Sequence, residues 1–241
     1  MFTGIVQGTA VVRQIEDLSG LRRLQLQGVA GFTRELEIGA SVSVDGACLT
    51  VSAVSQSELA SFDVIQETLS LTTLGSLVEG ASVNVERAAR EGAEIGGHAV
   101  SGHIDTRAQV AEIRTPDNNR TLRFSVPSPW IRYIFAKGYV ALDGASLTVS
   151  AVDRAAGWFE VCLIPETLRI TGLGHKQVGD HVNLEIERGT QVFVDTVRET
   201  LEEKLNKWLP ALEQLLLERG GSLDELISPE AMRKLGQGKP D

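Results

Sequence analysis

The chain has 241 residues, 42% of them hydrophobic, and a formal net charge of −9. It has no basic block to neutralise phosphates, so a nucleic-acid surface is not expected. Its two cysteines give neither a disulfide framework nor a zinc site, no apolar run approaches the ~20 residues of a membrane span, and Met1-Phe2-Thr3-Gly4 carries no signal-peptide pattern; the expectation is a cytoplasmic protein with no metal, membrane or nucleic-acid partner.

Short Val/Ile/Leu/Thr-rich runs separated by Gly, Asp and Asn turn signals predict strands at Ala10–Ile15, Leu21–Leu26, Ser41–Val44, Leu49–Val54, Ala60–Val64 and Ser82–Val85. A short helical turn is expected at Ser70–Leu74. The same order returns as Gln109–Ile113, Thr121–Val126, Tyr139–Leu142, Leu147–Val152, Trp158–Leu163 and His181–Ile186, with a turn at Ser128–Tyr133 where Pro129 suits the first helical position. The return is literal. Asp45-Gly46-Ala47-Cys48-Leu49-Thr50-Val51-Ser52-Ala53-Val54 reappears at Asp143–Val152 with one change, Ser146 for Cys48. Further on, Glu67-Thr68-Leu69 matches Glu166-Thr167-Leu168 at an offset larger by one, which an insertion near Ala155-Ala156-Gly157 explains.

Six strands per copy fit a closed barrel, because closure removes exposed edges. The expected class is mainly β: two tandem six-stranded antiparallel barrels, 1–97 and 98–190, plus a C-terminal α-helical segment, 191–241. In that segment Val194, Val197, Leu201, Leu205 and Trp208 follow three- and four-residue steps. Asp195 is the expected N-cap and Pro210 the expected end or kink. Further starts are expected at Ser222-Leu223-Asp224-Glu225 and Ser228-Pro229-Glu230, with a frayed end from Gly236. The apolar stripe either packs on the barrels or joins copies of the chain.

Cys48 against Ser146 marks two similar pockets with different tasks. Strand side chains alternate with period two, so Thr50 shares the face of Cys48, and Thr148 that of Ser146. Met1-Phe2-Thr3-Gly4-Ile5-Val6, Gly46-Ala47-Cys48-Leu49-Thr50-Val51, Gly96-Gly97-His98-Ala99-Val100-Ser101-Gly102-His103, Lys137-Gly138 and Ile164-Pro165-Glu166-Thr167-Leu168 together resemble the riboflavin synthase family, whose relatives include the lumazine and yellow fluorescent proteins. The resemblance spans residues 1 to about 205. It implies Greek-key barrels, one 6,7-dimethyl-8-ribityllumazine per barrel, and dismutation of two such molecules, one donating a four-carbon unit to the other. It implies no cofactor. It also implies a homotrimer whose reaction site forms between the first barrel of one subunit and the second barrel of its neighbour. A non-catalytic lumazine or flavin carrier is the alternative.

Under that resemblance His103 is the candidate general base, since imidazole titrates near neutral pH. Its counterpart in the first copy is Ile5. Cys48 is the candidate for polarising or adding to C7, or is a small buried strand residue. Ser146, Thr148, Asp143 and Phe2 complete the catalytic set, although Asp143-Gly144 also reads as a turn and Phe2 as packing. The expected ligand contacts in the first copy are Gly4, Ile5 and Val6, Cys48, Leu49 and Thr50, Asp63, Val64 and Ile65, and Gln66, Glu67 and Thr68. In the second copy they are Gly102, His103 and Ile104, Lys137, Ser146 with Leu147 and Thr148, and Cys162, Leu163, Ile164, Pro165, Glu166 and Thr167, so that neither copy alone carries both Cys48 and His103. The Glu-Thr pairs either hold ribityl hydroxyls or cap a turn. The glycines either offer backbone groups to the ring or serve tight turns. His98, His175 and His181 read as structural or solvated. Ala47 replaces a second Cys seen in some members, Asp105-Thr106-Arg107 departs from the common Asp-Gly-x, and the tail from about Lys207 is longer than typical.

Overall fold

A computed structural model describes residues 1–55, 57–115, 119–220 and 222. The chain divides into a unit ending at Thr190 and a second beginning at Gln191.

The first unit holds two closed antiparallel barrels. The first contains β1 (Gly8–Leu18), β2 (Leu21–Gln27), β3 (Ser41–Val44), β4 (Ala47–Val54), β5 (Leu59–Ile65) and β6 (Ser82–Arg87), in the order β1-β2-β5-β4-β3-β6. The second contains β7 (Thr106–Arg114), β8 (Arg120–Ser125), β9 (Tyr139–Leu142), β10 (Ala145–Asp153), β11 (Trp158–Leu163) and β12 (His181–Ile186), in the same cyclic order. Even the irregularities repeat: register shifts follow Val12 and Val51 in one barrel, Val110 and Val149 in the other. The extra residue of the second copy falls in the turn between β10 and β11. Alternation along the strands sends Val12, Leu24, Val42, Leu49, Val51, Phe62 and Val85 inward, all buried.

The helical turns differ from expectation. Gln66–Leu71 forms α1 and Thr73–Ser76 a 3₁₀ turn, with Thr72 extended between them. Its hydroxyl accepts from Leu74 N and donates to Thr68 O, so a threonine that caps both neighbours breaks the single turn into two. The second copy repeats this as α3 (Pro165–Ile170) and Gly172–His175 around Thr171. Ser128–Ile131 forms α2, shorter than the expected stretch.

The barrels meet at two reciprocal asparagines. Asn84 on β6 donates its side-chain amide to Asp143 O (2.9 Å) and accepts at Oδ1 from Gly172 N (2.7 Å). Asn183 on β12 returns both bonds, to Asp45 O (2.8 Å) and from Thr73 N (2.7 Å). Each aspartate carboxylate accepts the backbone N–H of its own barrel's asparagine at 2.7 Å. Asp45 and Asp143 are thus buried, backbone at positive φ, at the heart of the junction. The symmetry breaks at Lys176, which stands against Leu77 of the first copy. Lys176 Nζ reaches Asp143 at 2.9 Å. Burial works against that ammonium, but Asp143, joined by Asp45 and Asp180, outweighs it and holds the group above its ordinary range. Burial also pushes the Asp143 carboxyl up, partly offset by Lys176. Asp45 is pushed up furthest, by burial first and by the facing Asp143 second.

The last helix, α4 (Arg188–Glu218), starts at the end of the first unit, earlier than expected, and runs on through Pro210 in the second. Glu187 accepts from the backbone N–H and hydroxyl of Thr190, so a glutamate performs the capping that the sequence assigned to Asp195. Pro210 lacks the N–H that would reach Asn206, but its ring does not stop a helix rich in Leu, Glu and Lys. The stripe Val197, Leu201, Leu205, Trp208, Leu212 and Leu215 is exposed along this helix. The helix starts expected at Ser222–Glu225 and Ser228, and the frayed end from Gly236, lie outside the described residues.

A carboxyl whose folded pKa is raised contributes stability below its unfolded pKa and loses it as pH rises through the folded value. Asp45→Asn is therefore expected to melt progressively higher than the unaltered protein as pH rises above the ordinary carboxylate range near ~4. A melting difference that is flat across pH would show that Asp45 is not held protonated.

Candidate functional site

Each copy opens with a short leader, Phe2–Val6 or Val100–Ile104, and the two leaders run antiparallel through mutual Phe2–Val100 hydrogen bonds of 2.7 and 3.0 Å. A carboxylate from the same copy clamps each one. Glu86 accepts from Thr3 N (2.6 Å), Thr3 Oγ1 (2.8 Å) and Gly4 N (3.0 Å). Glu185 accepts from Ser101 N (2.6 Å), Ser101 Oγ (2.8 Å) and Gly102 N (2.9 Å). The next step crosses over. Gly102 O accepts the N–H of Cys48 in the first barrel, and Gly4 O accepts the N–H of Ser146 in the second, both at 2.8 Å. A Cβ on either glycine would come within 2.5 Å of the Cβ of its crossing partner, and both have positive φ, so no other residue fits.

The crossing explains an opening in each wall. β4 pairs with β5 only from Val51, and β10 with β11 only from Val149. Nearer the leader, Gly102 and Gly4 stand where β5 and β11 would otherwise bond. Asp63–Ile65 stay paired to β2, and Cys162–Leu163 to β8, each with one strand edge turned to the opening. The result is two cradles of one design. The first has Cys48 half-buried, Thr50 exposed and the exposed His103 next to Gly102. The second has Ser146 half-buried, Thr148 exposed and the exposed Ile5 next to Gly4.

Lys137, at positive φ, and Tyr139 flank the second cradle, where Tyr139 pairs with Thr148. Ile65 and Ile164 expose more than half their surface at the two mouths. Gln66, Glu67 and Thr68 start α1, and Pro165, Glu166 and Thr167 start α3. Glu166 is ion-paired with Arg169 at 2.7 Å, and Asp63 with Arg23 at 2.7 Å; in each case the arginine hydrogen bond holds the carboxyl below its usual range. Cys162 Sγ lies 3.6 Å from Thr121 Oγ1.

Other expected residues sit elsewhere. Leu49, Val64, Leu147 and Leu163 point into the barrel cores, so only their backbones face a cradle. Ile104 plugs the core of the first barrel, across from its own copy, and Val6 is likewise buried. Phe2 is 1% exposed and packs with Val100 and Ala141 beneath Cys48, which makes it a floor rather than a stacking surface. Asp143 lies buried in the junction, where its carboxylate oxygens are taken up by Asn183 N and Lys176 Nζ. The polar backbone groups of Gly4 and Gly102 are engaged by the clamps and the crossing strands, not offered outward.

Sequence reasoning missed two features. The crossing of the leaders has no local signal; it brings His103 of the second copy to the cradle of Cys48 within one chain, where the sequence placed the two on separate barrels. His98, read as structural or solvated, sits with Nδ1 2.6 Å from Ser146 Oγ and its ring stacked on Tyr139; its place beside a Gly-Gly pair was the available hint. His175 and His181 are exposed. Among the described residues no three His, Cys, Asp or Glu side chains gather as a metal site requires, and no helix is long and apolar enough to cross a membrane.

A cavity of about 760 Å³ lies between Thr3–Gln7, Val29–Phe32 and the linker from Arg87 to Gly96, apart from Cys48 and Ser146.

The lumazine binding domain matches twice, over residues 3–88 and 101–187. Riboflavin synthase of Escherichia coli (strain K12) is 47% identical over 207 residues, covering 86% of this chain and 96% of that protein. The riboflavin synthases of Chlamydia pneumoniae (41% over 201 residues; 83% and 97% covered) and Buchnera aphidicola subsp. Baizongia pistaciae (37% over 214; 88% and 100%) are also similar. Among solved structures, LumP complexed with riboflavin superposes with a TM-score of 0.71 at 26% identity, covering 78% of this chain and all of that one. LumP complexed with 6,7-dimethyl-8-(1'-D-ribityl) lumazine gives 0.70 at 24% over the same share. With two lumazine binding domains and such relatives along most of its length, the chain belongs to the riboflavin synthase family.

Proposed function

We propose that the chain catalyses the dismutation of two molecules of 6,7-dimethyl-8-ribityllumazine to riboflavin and 5-amino-6-(ribitylamino)uracil. One observation carries this reading: two cradles of identical construction differ in the side chains chemistry would use, a thiol and an imidazole in one, a hydroxyl and an isoleucine in the other. One ligand, bound twice in unlike surroundings, can then serve as donor at one site and acceptor at the other. The open strand edges at Asp63–Ile65 and Cys162–Ile164 support the choice of ligand, since a pyrimidinedione alternates donors and acceptors as a peptide edge does.

In this reading His103 takes or relays the proton lost from a C7 methyl, and Cys48 polarises or adds to C7. Thr50, Thr148 and Lys137 hold ring carbonyls, while the pairs Glu67-Thr68 and Glu166-Thr167 reach ribityl hydroxyls. Holding the two heterocycles face to face is the larger contribution, because it removes the entropic cost of bringing them together. The cradles of one chain lie on separate barrels, so the reading calls for a homotrimer in which the first barrel of one subunit faces the second barrel of the next. The exposed stripe on α4 supports such an assembly. The functional parts are then 1–97, 98–190 and 191–241. The free thiol at Cys48 suits a cytoplasmic setting. A carrier role is less well supported, because both cradles keep their polar pairs.

Incubation of the purified protein with the lumazine is expected to yield riboflavin fluorescence; a lumazine held tightly without turnover would favour the carrier. His103→Ala is expected to lower kcat by about 10²-fold or more while binding weakens far less. Equal losses in kcat and affinity would argue against a base. Replacing Leu201 and Leu205 by Glu is expected to give monomers, by light scattering, with little turnover. A fully active monomer would contradict the shared site.

A further inference from the structure

His98 lies outside the strands of either barrel. It lies in the linker, yet it is fixed from two sides, by Ser146 Oγ at 2.6 Å and by the Tyr139 ring, whose centroid lies 5.6 Å away with the planes 22° apart. The linker is pressed against the same strand, since a Cβ on Gly97 would stand 2.8 Å from Ser146 Cβ. Tyr139 is the strand partner of Thr148. The linker therefore delivers an imidazole onto the pair of hydroxyl residues that defines the second cradle. Burial lowers the pKa of His98, and the charge of Glu187 offsets this in part, so the ring is neutral at neutral pH. A neutral ring bonded to a hydroxyl sets which way that hydroxyl points.

We propose that His98 is a positioning residue of the second cradle, fixing the direction of the Ser146 hydroxyl toward the bound heterocycle. The proposal rests on the ligand reading above. It gives the second cradle a defined hydroxyl direction set by a residue outside the barrel, whereas in the first cradle the imidazole of His103 is itself exposed at the opening. His98 makes no contact with substrate in this scheme; it acts through Ser146.

The test uses the full-length protein and riboflavin as the probe, titrated by fluorescence quenching, with turnover of the lumazine measured alongside. His98→Ala is expected to weaken one class of riboflavin sites about tenfold, the size of one hydrogen bond, and to leave the other class unchanged. His98→Asn, which can put a polar atom where Nδ1 stands, should restore affinity to within about threefold. In a Ser146→Ala background His98→Ala should add nothing, because the two act as a unit. Unchanged binding in His98→Ala, equal weakening of both site classes, failure of the Asn rescue, or additivity with Ser146→Ala would each overturn the proposal. An unaltered protein that neither binds riboflavin nor turns over the lumazine would instead overturn the functional reading beneath it.

Discussion

The architecture depends on a pair of side-chain amides. Asn84 and Asn183 each leave their own barrel, grip the Asp-Gly turn of the other, and accept from the 3₁₀ segment of that barrel. A buried amide left without partners costs about 1–3 kcal/mol, so four such bonds closing on one another fix the junction without slack. The turns they hold carry Asp45 and Asp143, whose carboxylates fasten the same asparagines through their backbone N–H groups. Barrel position and turn conformation are thereby one constraint.

That constraint sets where the leaders run. With the barrels joined at this junction, Phe2 and Val100 meet, and Glu86 and Glu185 hold the next residues through three hydrogen bonds each. The glycines then press on the opposite barrel and hold its strands apart. The cradles are made by backbone, which is why both copies share their shape. The cradles differ in a few side chains at matched positions: Cys48 and Ser146, His103 and Ile5.

Much of this was legible in the residues. Alternation and turn signals gave twelve strands within a few residues of their observed ends, and the literal repeat gave two like barrels. What stayed hidden depends on distance along the chain. No local pattern reports that Ile104 packs in the first barrel or that Asp143 is held by Lys176 in the junction, because those positions follow from how two finished barrels dock. Phe2 reads equally well as a stacking ring or as packing until Val100 and Ala141 are seen around it. The α4 start was misplaced because Glu187 does work usually assigned to Asp or Ser. His98 was passed over because a linker histidine has no periodicity to place it. Its significance comes entirely from the strand it touches.

The crossing of the leaders bears on how such a chain could arise. A lone copy of the repeat would fold with its wall open and its leader lying against nothing. A second copy could fill that opening while offering its own, which is the exchange that joins protomers in swapped dimers. Seen so, the present chain is a two-fold dimer whose halves have been tied end to end. Once tied, the halves were free of the demand to be identical, and a thiol could become a hydroxyl on one side only.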